Sequence, residues 1–319
     1  MTIDFKTILC SLSLLVMADC MYAQSGQGGG AASGDTERYA ERYGLLVSRL
    51  GYDGVGIETL LNAWEEADSS DIRIPEARFR YYFAKSGRDS VVTSTSRKHL
   101  GADPILSLKD STGTSIYYYN EYFYDDAYFA EAMKNIGKAI SMAPKRLDLL
   151  TLRADALCAY EKGSPDMALA RLKDIADAWD GDRDGWEYPG DTVDGDFMKA
   201  LMQQYCALFY TTGTQASYSA FRALSEKLLS VWPDDPTFMA NIGSYMLVAE
   251  DNPKAAVKWY NKVLKVKPGD YAAIKNCIIA ARKMKNTRLE KKYLPLLMEY
   301  GPESERKAAG LRLEALSSK

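Results

Sequence analysis

Three aspartates at alternating positions are the clearest candidates for chemistry in this sequence. Asp180, Asp182 and Asp184 are followed by Gly185 in the stretch DGDRDG. Carboxylate oxygens at alternating positions, with a glycine for a sharp turn, are typical of a calcium-binding loop. The twelfth position is Asp191 rather than the bidentate glutamate of such loops. The stretch therefore predicts either a weak calcium site or a solvated acidic loop.

The sequence holds few of the residues on which enzymes rely. It has a single histidine, His99, and it lacks the G-x-S-x-G, Walker, dinucleotide-binding and H-E-x-x-H motifs. Paired carboxylates occur, but no spacing singles out one pair. We therefore expect a protein that is not an enzyme and that needs no cofactor.

The first residues are typical of a secretory signal. Lys6 precedes an apolar run over residues 7–18, and Ala23 offers a small residue at a cleavage point. This run is too short to span a membrane comfortably, so we expect no transmembrane span in the mature chain. Cys20 raises the alternative of a lipid anchor, although the residue before it, Asp19, is not small. We expect export to the periplasm or cell envelope.

Composition then separates the chain into segments. A glycine-rich stretch follows the signal and has the composition of a flexible linker. The predicted segments are a signal peptide over residues 1–23, a linker over 24–34, and a helical domain over 35–316 with an insertion over 87–121 and a capping helix over 302–316. Cleavage after the signal leaves Cys158, Cys206 and Cys277, which are far apart in helical stretches. We predict buried free thiols there.

Residues 233–268 carry a complete two-helix pattern. Apolar or small residues recur at helical spacing, and Gly243 and Ala256 stand where two antiparallel helices must cross closely. Pro268 ends the second helix, because proline disfavours helical geometry in the residue before it. The pattern resembles the tetratricopeptide repeat, a family of two-helix units of about 34 residues. The resemblance implies an all-α fold, an α-solenoid of about six stacked, antiparallel helix pairs.

The helical spacing is interrupted in the predicted insertion. Residues 105–108 and 115–119 have strand character and flank a turn at 110–113. This arrangement predicts a short β-hairpin between the two helices of one pair. The aromatic run over residues 117–124 either stacks on sugar rings or packs the insertion onto the helices.

Charge is distributed unevenly along the chain. The formal net charge is −3, yet twelve lysines and arginines lie between residues 254 and 296 against only Asp270 and Glu290. Such a region either attracts an anionic partner, an acidic protein or a phosphate-bearing lipid, or is a solvated helical face. Nucleic acid is not expected, since no recognition motif is present and the chain is predicted to be exported.

The family resemblance also implies where a partner binds. In tetratricopeptide proteins the first helices of successive pairs line a concave groove that holds a segment of another protein. The corresponding candidates in this chain are Asn241, Ser244, Lys275, Asn276, Ile279 and Arg282. The two amides can hydrogen-bond an extended backbone, and the two cations favour an acidic segment. Alternatively, Asn241 and Asn276 only tie adjacent helices together.

These observations favour a non-enzymatic protein–protein interaction scaffold of the bacterial cell envelope. One alternative is a surface or periplasmic binder of glycans or small ligands that uses the aromatic insertion. Another is an enzyme in which the repeats serve only as a frame.

Overall fold

The computed structural model describes residues 33–318 of the chain. These residues form thirteen α-helices and one three-stranded antiparallel sheet. The prediction of a helical protein is therefore confirmed at the level of secondary structure, with a small sheet added. The predicted signal peptide, most of the linker and Cys20 lie outside the described residues, and the last two linker positions, Ser33 and Gly34, belong to the first helix.

The described residues divide into two compact units. The first unit contains residues 33–162 and the segment Arg183–Phe197. Its elements are α1 (Ser33–Leu50), α2 (Ile57–Ala67), α3 (Arg73–Ser86), β1 (Gly87–Ser94), β2 (Leu106–Lys109), β3 (Ser115–Tyr124), α4 (Asp126–Met142) and α5 (Leu147–Glu161). The helices α3 and α4 pack against each other, so the sheet is inserted between two paired helices, as the sequence predicted.

The second unit contains Gly163–Asp182 and the chain from Met198 onward. Its helices are α6 (Asp166–Gly181), α7 (Gly195–Thr212, whose first three residues belong to the first unit), α8 (Gln215–Val231), α9 (Pro236–Val248), α10 (Pro253–Val266), α11 (Tyr271–Lys283), α12 (Thr287–Tyr300) and α13 (Glu303–Ser317). From α8 to α13 each helix packs against the next one in the chain. Short connections and successive packing are the features that a chain of helix pairs requires.

Side-chain caps mark where several helices begin. Asp125 and Asp235 accept hydrogen bonds from backbone N–H groups in the first turns of α4 and α9, and Pro236 occupies the start of α9. Thr214 forms a capping box with Ser217 at the start of α8. These residues satisfy N–H groups that have no partner within the helix. The local sequence therefore specifies these helix starts.

The helices α9 and α10 pack at the crossing that the sequence predicted. A Cβ atom added to Gly243 would lie 2.7 Å from Cε1 of Tyr260, which is completely buried. Ala256 on α10 is also completely buried, whereas Met246 on α9 is only partly buried. A residue with a side chain at position 243 would thus force the two helices apart.

The insertion forms a three-stranded sheet rather than the predicted hairpin. The strands β2 and β3 do form a hairpin, but β1 pairs with β3 along its whole length, from Gly87↔Tyr124 to Ser94↔Tyr117. The strand order is β1-β3-β2, so β3 is central. The sequence did not reveal β1, GRDSVVTS, because the strand is mostly exposed and lacks an apolar alternation.

Each unit has an apolar core. In the first unit, α1–α3 enclose a cluster around Tyr43, Leu61 and Trp64. In the second unit, α9–α13 enclose a cluster that ends with Ala309 and Leu316 of α13. The helix α13 occupies the stretch predicted as a capping helix, and its Leu311 is exposed. No helix within residues 33–318 is long and apolar enough to cross a membrane.

Candidate interaction surfaces

The predicted groove residues of α9 are engaged within the second unit. Asn241 is buried, and its Nδ2 donates a hydrogen bond to Gln203 Oε1 of α7 at 2.8 Å. Gln203 Nε2 donates in return to Asn241 Oδ1 at 3.4 Å. The Ser244 hydroxyl lies 3.2 Å from the Tyr260 hydroxyl of α10. Asn241 thus ties two helices together, which is the structural alternative that the sequence left open.

The predicted cations of α11 are also paired internally. Lys275 Nζ donates to Glu305 Oε1 of α13 at 2.7 Å and to the Tyr271 hydroxyl at 3.0 Å. The hydrogen bond to Glu305 is the main cause that raises the pKa of Lys275. Arg282 Nε donates to Glu290 Oε1 at 2.7 Å. Each of the two cations therefore already has a carboxylate partner within the chain. Of the other α11 candidates, Asn276 is half-buried and Ile279 is exposed.

Glu290 explains the pairing of Arg282. Its side chain is on α12 at the position where the repeat pattern has a small residue, and it is only 2% exposed. Arg312 of α13 donates to both carboxylate oxygens, at 2.9 and 3.0 Å. These hydrogen bonds, Arg312 first, lower the pKa of Glu290. The buried carboxylate therefore joins α11, α12 and α13. The sequence alone did not show these partners of Glu290.

One face of the sheet is exposed and carries six apolar or aromatic side chains beside the polar residues Asp89, Thr93 and Asn120. Residues directly opposite each other in antiparallel strands project to the same side, and every second residue along a strand does so too. The register pairs Leu106 with Tyr118 and Leu108 with Ile116, and it places Val91 and Tyr122 on the same side. We call this set the exposed sheet face: Val91, Leu106, Leu108, Ile116, Tyr118 and Tyr122.

The exposed sheet face is accessible to a partner. Val91 is 57% exposed, Tyr122 is 56% exposed, and Leu106 and Leu108 are each 49% exposed. Ile116 and Tyr118, at the centre, are half-buried. Contiguous exposed apolar side chains of this kind mark interaction sites on soluble proteins more often than isolated ones do. Sequence reasoning found the aromatic members but missed the aliphatic ones, since the face depends on strand register.

The centre of the opposite face, around Tyr119, is covered by the connection between β1 and β2, whereas Ser107 and Phe123 on that face are exposed. Tyr119 is buried and donates a hydrogen bond to the Ser96 carbonyl at 2.6 Å. The ring centres of His99 and Tyr119 are 5.2 Å apart, and His99 Nε2 is 3.0 Å from Glu121 Oε2. Burial raises the pKa of Glu121, but hydrogen bonds from Lys162 and His99 outweigh it and lower that pKa. His99 thus has a structural partner, and the two faces differ in exposure.

The end of β3 attaches the sheet to the helices. The ring centre of Tyr124 lies 5.3 Å from that of Phe83 of α3 and 6.0 Å from that of Phe129 of α4. Phe129 in turn stacks on Tyr160 of α5 at 4.0 Å. Aromatic contacts of this size bury large apolar areas. The predicted packing role is therefore correct for Tyr124 and for Tyr119, whereas Tyr122 remains open to solvent.

The acidic stretch supplies no visible metal centre. Asp180 lies in the last turn of α6 and Asp182 follows as its C-cap, while the backbone carbonyl of Asp184 accepts a hydrogen bond from Lys145 Nζ. In the part of the chain from residue 33 to 318, no group of three or more His, Cys, Asp and Glu residues is placed to hold a metal ion. Calcium binding stays a prediction, which a calcium titration of the melting temperature would test.

Comparison with known proteins adds no identification. No protein-family model matches the chain, and no curated protein matches it significantly. The tetratricopeptide resemblance therefore rests on the residues of this sequence.

Proposed function

We propose that this protein is a non-enzymatic interaction scaffold whose exposed sheet face binds another protein. The exposed sheet face is the observation that carries the proposal. Its four aliphatic and two tyrosine side chains are either exposed or half-buried. Aliphatic side chains give a sugar no ring to stack on, but they match the apolar side chains of a protein partner. Four of the six groove candidates, in contrast, already have partners within the chain: Asn241, Ser244, Lys275 and Arg282.

The scaffold itself is proposed to be a solenoid of tetratricopeptide-like helix pairs. Two features support this. The contact of Gly243 with Tyr260 has the close approach that the repeat pattern requires, and from α8 to α13 each helix packs against the next one in the chain. The predicted signal at residues 1–23 supports export to the bacterial cell envelope. The concave groove, with Ile279 and Asn276, is a second place for the same kind of partner.

Site-specific photo-crosslinking tests the docking surface. Replacing Leu108 with p-benzoylphenylalanine places a photoreactive group on the exposed sheet face. The matched control replaces Ser107, which is exposed on the same strand and projects to the opposite face. In the cells that make the protein, we expect one discrete adduct with another protein from position 108 and none from position 107. Leu106→Lys in the same chain should remove the adduct, because it places a charge in the apolar contact.

Two results would contradict the proposal. Equal adducts from positions 107 and 108 would mean that the face does not select its contacts. A product with twice the mass of the chain, and no other adduct, would mean that the face joins two copies of this protein.

Glycan binding is a second candidate that one observation favours. Tyr118 and Tyr122 lie on one face of β3, and Tyr122 hydrogen-bonds to Asp89 on the neighbouring strand, which raises the pKa of the tyrosine. Aromatic rings beside a carboxylate are a common way to hold a sugar. A glycan array probed with the native chain, Tyr118→Ala and Tyr122→Ala decides the matter. Reproducible signals that both variants lose would favour this candidate over the first.

A further inference from the structure

The helix α10 presents a row of lysines to solvent. Lys254, Lys258, Lys262 and Lys265 are all exposed, and their spacing places them on one side of the helix. Their span along the helix axis is about 16 Å at 1.5 Å per residue. The buried residues of α10, Ala256, Val257, Tyr260 and Val263, lie on the other side. The helix contains no acidic residue.

The neighbouring helix α12 extends this row. The Tyr293 hydroxyl of α12 donates to Asn261 Oδ1 of α10 at 2.8 Å, so the two helices lie side by side at this point. Lys292 Nζ lies 3.5 Å from the same hydroxyl and 5.0 Å from the centre of the Tyr293 ring. Arg288, one turn earlier, is also exposed. We call the combined set the lysine face: Lys254, Lys258, Lys262, Lys265, Arg288 and Lys292.

The positive charges of the lysine face are not neutralised within the described chain. Among residues 33–318, none of the six cations lies within salt-bridge distance of a carboxylate. Two nearby cations outside this set do have partners: Lys267 pairs with Asp270, and Lys283 pairs with Asp251. Acidic residues are thus available in this region but stand away from the lysine face. The result is a concentrated positive potential on a face that does not need it for folding.

We propose that the lysine face binds the anionic headgroups of a phospholipid surface. Lysine is depleted at the centre of protein–protein interfaces, whereas clustered lysines near an anionic bilayer each strengthen binding by about fivefold. Trp259 lies at the edge of the row with Lys262 Nζ only 3.6 Å from its ring centre, and tryptophan favours the boundary between water and lipid. The apolar side of α10 is in the core, so the contact is electrostatic and does not insert the helix. It places the protein on a membrane surface, independently of the sheet face.

Vesicle flotation tests this inference. The probes are vesicles of phosphatidylcholine with 30% phosphatidylglycerol, and vesicles of pure phosphatidylcholine, each mixed with the full chain. The test variant is Lys254→Gln/Lys258→Gln/Lys265→Gln. The matched control, Lys109→Gln/Lys134→Gln/Lys307→Gln, removes the same net charge from exposed positions elsewhere. The uncharged vesicles measure any binding by the apolar N-terminal run, which both variants retain.

We expect the native chain and the control to partition onto the anionic vesicles more strongly than onto the neutral ones. For the test variant this excess should be about 100-fold smaller, because the variant lacks three lysines that each strengthen binding about fivefold. High salt should remove the excess in all cases, because it screens exposed charges. Equal loss in the test variant and the control would overturn the inference, since it would show an effect of net charge alone. Equal binding to both vesicle types, or tighter binding to polyglutamate than to anionic vesicles, would also overturn it.

Discussion

At the scale of single residues, Glu290 shows how a charged group can occupy a helix contact where the repeat pattern has a small residue. The carboxylate is almost completely buried, but both its oxygens accept hydrogen bonds from arginines of two other helices. A buried charge with such partners is tolerated, whereas one without them is strongly unfavourable. Arg282 and Arg312 are therefore structural residues first, even though each is partly exposed.

We predict that Glu290→Gln lowers the free energy of unfolding by about 2 kcal/mol, because charge-assisted hydrogen bonds are replaced by weaker neutral ones. Chemical denaturation of the two proteins measures the difference. Glu299→Gln, an exposed position on the same helix, is the control and should change little. Equal stability of the native chain and Glu290→Gln would show that the arginine contacts contribute nothing in solution.

Cys206 and Cys277 are free, buried thiols as the sequence predicted, whereas Cys158 is free but only half-buried. Cys206 and Cys277 are buried, and burial raises their pKa values to about 12 and about 11. The thiolate is the reactive form, so both should be almost fully protonated at neutral pH. We predict that a maleimide labels neither residue in the native protein within minutes, and that both react at once in denaturant. Mass spectrometry of labelled peptides measures this, and rapid native labelling of either residue would contradict the buried assignment.

At the scale of elements, the crossing of α9 and α10 depends on the absence of one side chain. Gly243→Ala would place a methyl group 2.7 Å from a ring carbon of Tyr260, whose side chain is completely buried. We predict a net destabilisation of about 1–2 kcal/mol, since overpacking outweighs the gain in helix propensity. Thermal or chemical denaturation measures the effect.

A second glycine provides the matched control. Gly137 lies inside α4, and a Cβ atom there would meet nothing within 4 Å. Gly137→Ala should therefore stabilise the protein by about 0.5–1 kcal/mol, because alanine favours the helix and no clash opposes it. If the two substitutions changed stability in the same direction, the result would contradict a close contact between α9 and α10 at Gly243.

At the scale of the whole molecule, ion pairs set an acid limit to stability. Hydrogen bonds from Lys138, Arg312 and Lys275 are the main causes that lower the pKa values of Glu65, Glu290 and Glu305 below 4.5. A carboxylate whose pKa is lowered by folding stabilises the folded state above its unfolded pKa, and this contribution is lost as the pH falls through the folded value. We predict a melting temperature that is steady near neutral pH and falls below about pH 4.5. An unchanged melting temperature at pH 3 would contradict these pairs.

Buried tyrosines set an alkaline limit. Burial raises the pKa values of Tyr124, Tyr260 and Tyr293 from 10 to about 12. Above pH 10 the unfolded chain ionises these phenols while the folded chain keeps them neutral, so stability should fall between pH 10 and pH 12. Absorbance at 295 nm, which reports phenolate, should show a late titrating group of tyrosines. If all tyrosines titrated together near pH 10 in the folded protein, the three phenols would not be shielded from solvent.

Much of the helical organisation is determined by the sequence itself, because helix formation depends on neighbours three and four residues apart. The repeat pattern over residues 233–268 located α9 and α10, with the small residue Gly243 at their crossing. The position of the insertion was predictable too, since helical spacing breaks there.

Only the tertiary structure decided which groups meet over long separations. The strand β1 pairs with β3 about thirty residues away, and no local sequence pattern predicts this pairing. The exposed sheet face follows from that register. Likewise, Arg282 reaches Glu290 across 8 residues and Lys275 reaches Glu305 across 30 residues, so the two cations predicted to line a groove have partners within the chain. Strand pairing and ion pairing are set by proximity in space, which a single sequence records only where the contact is also local.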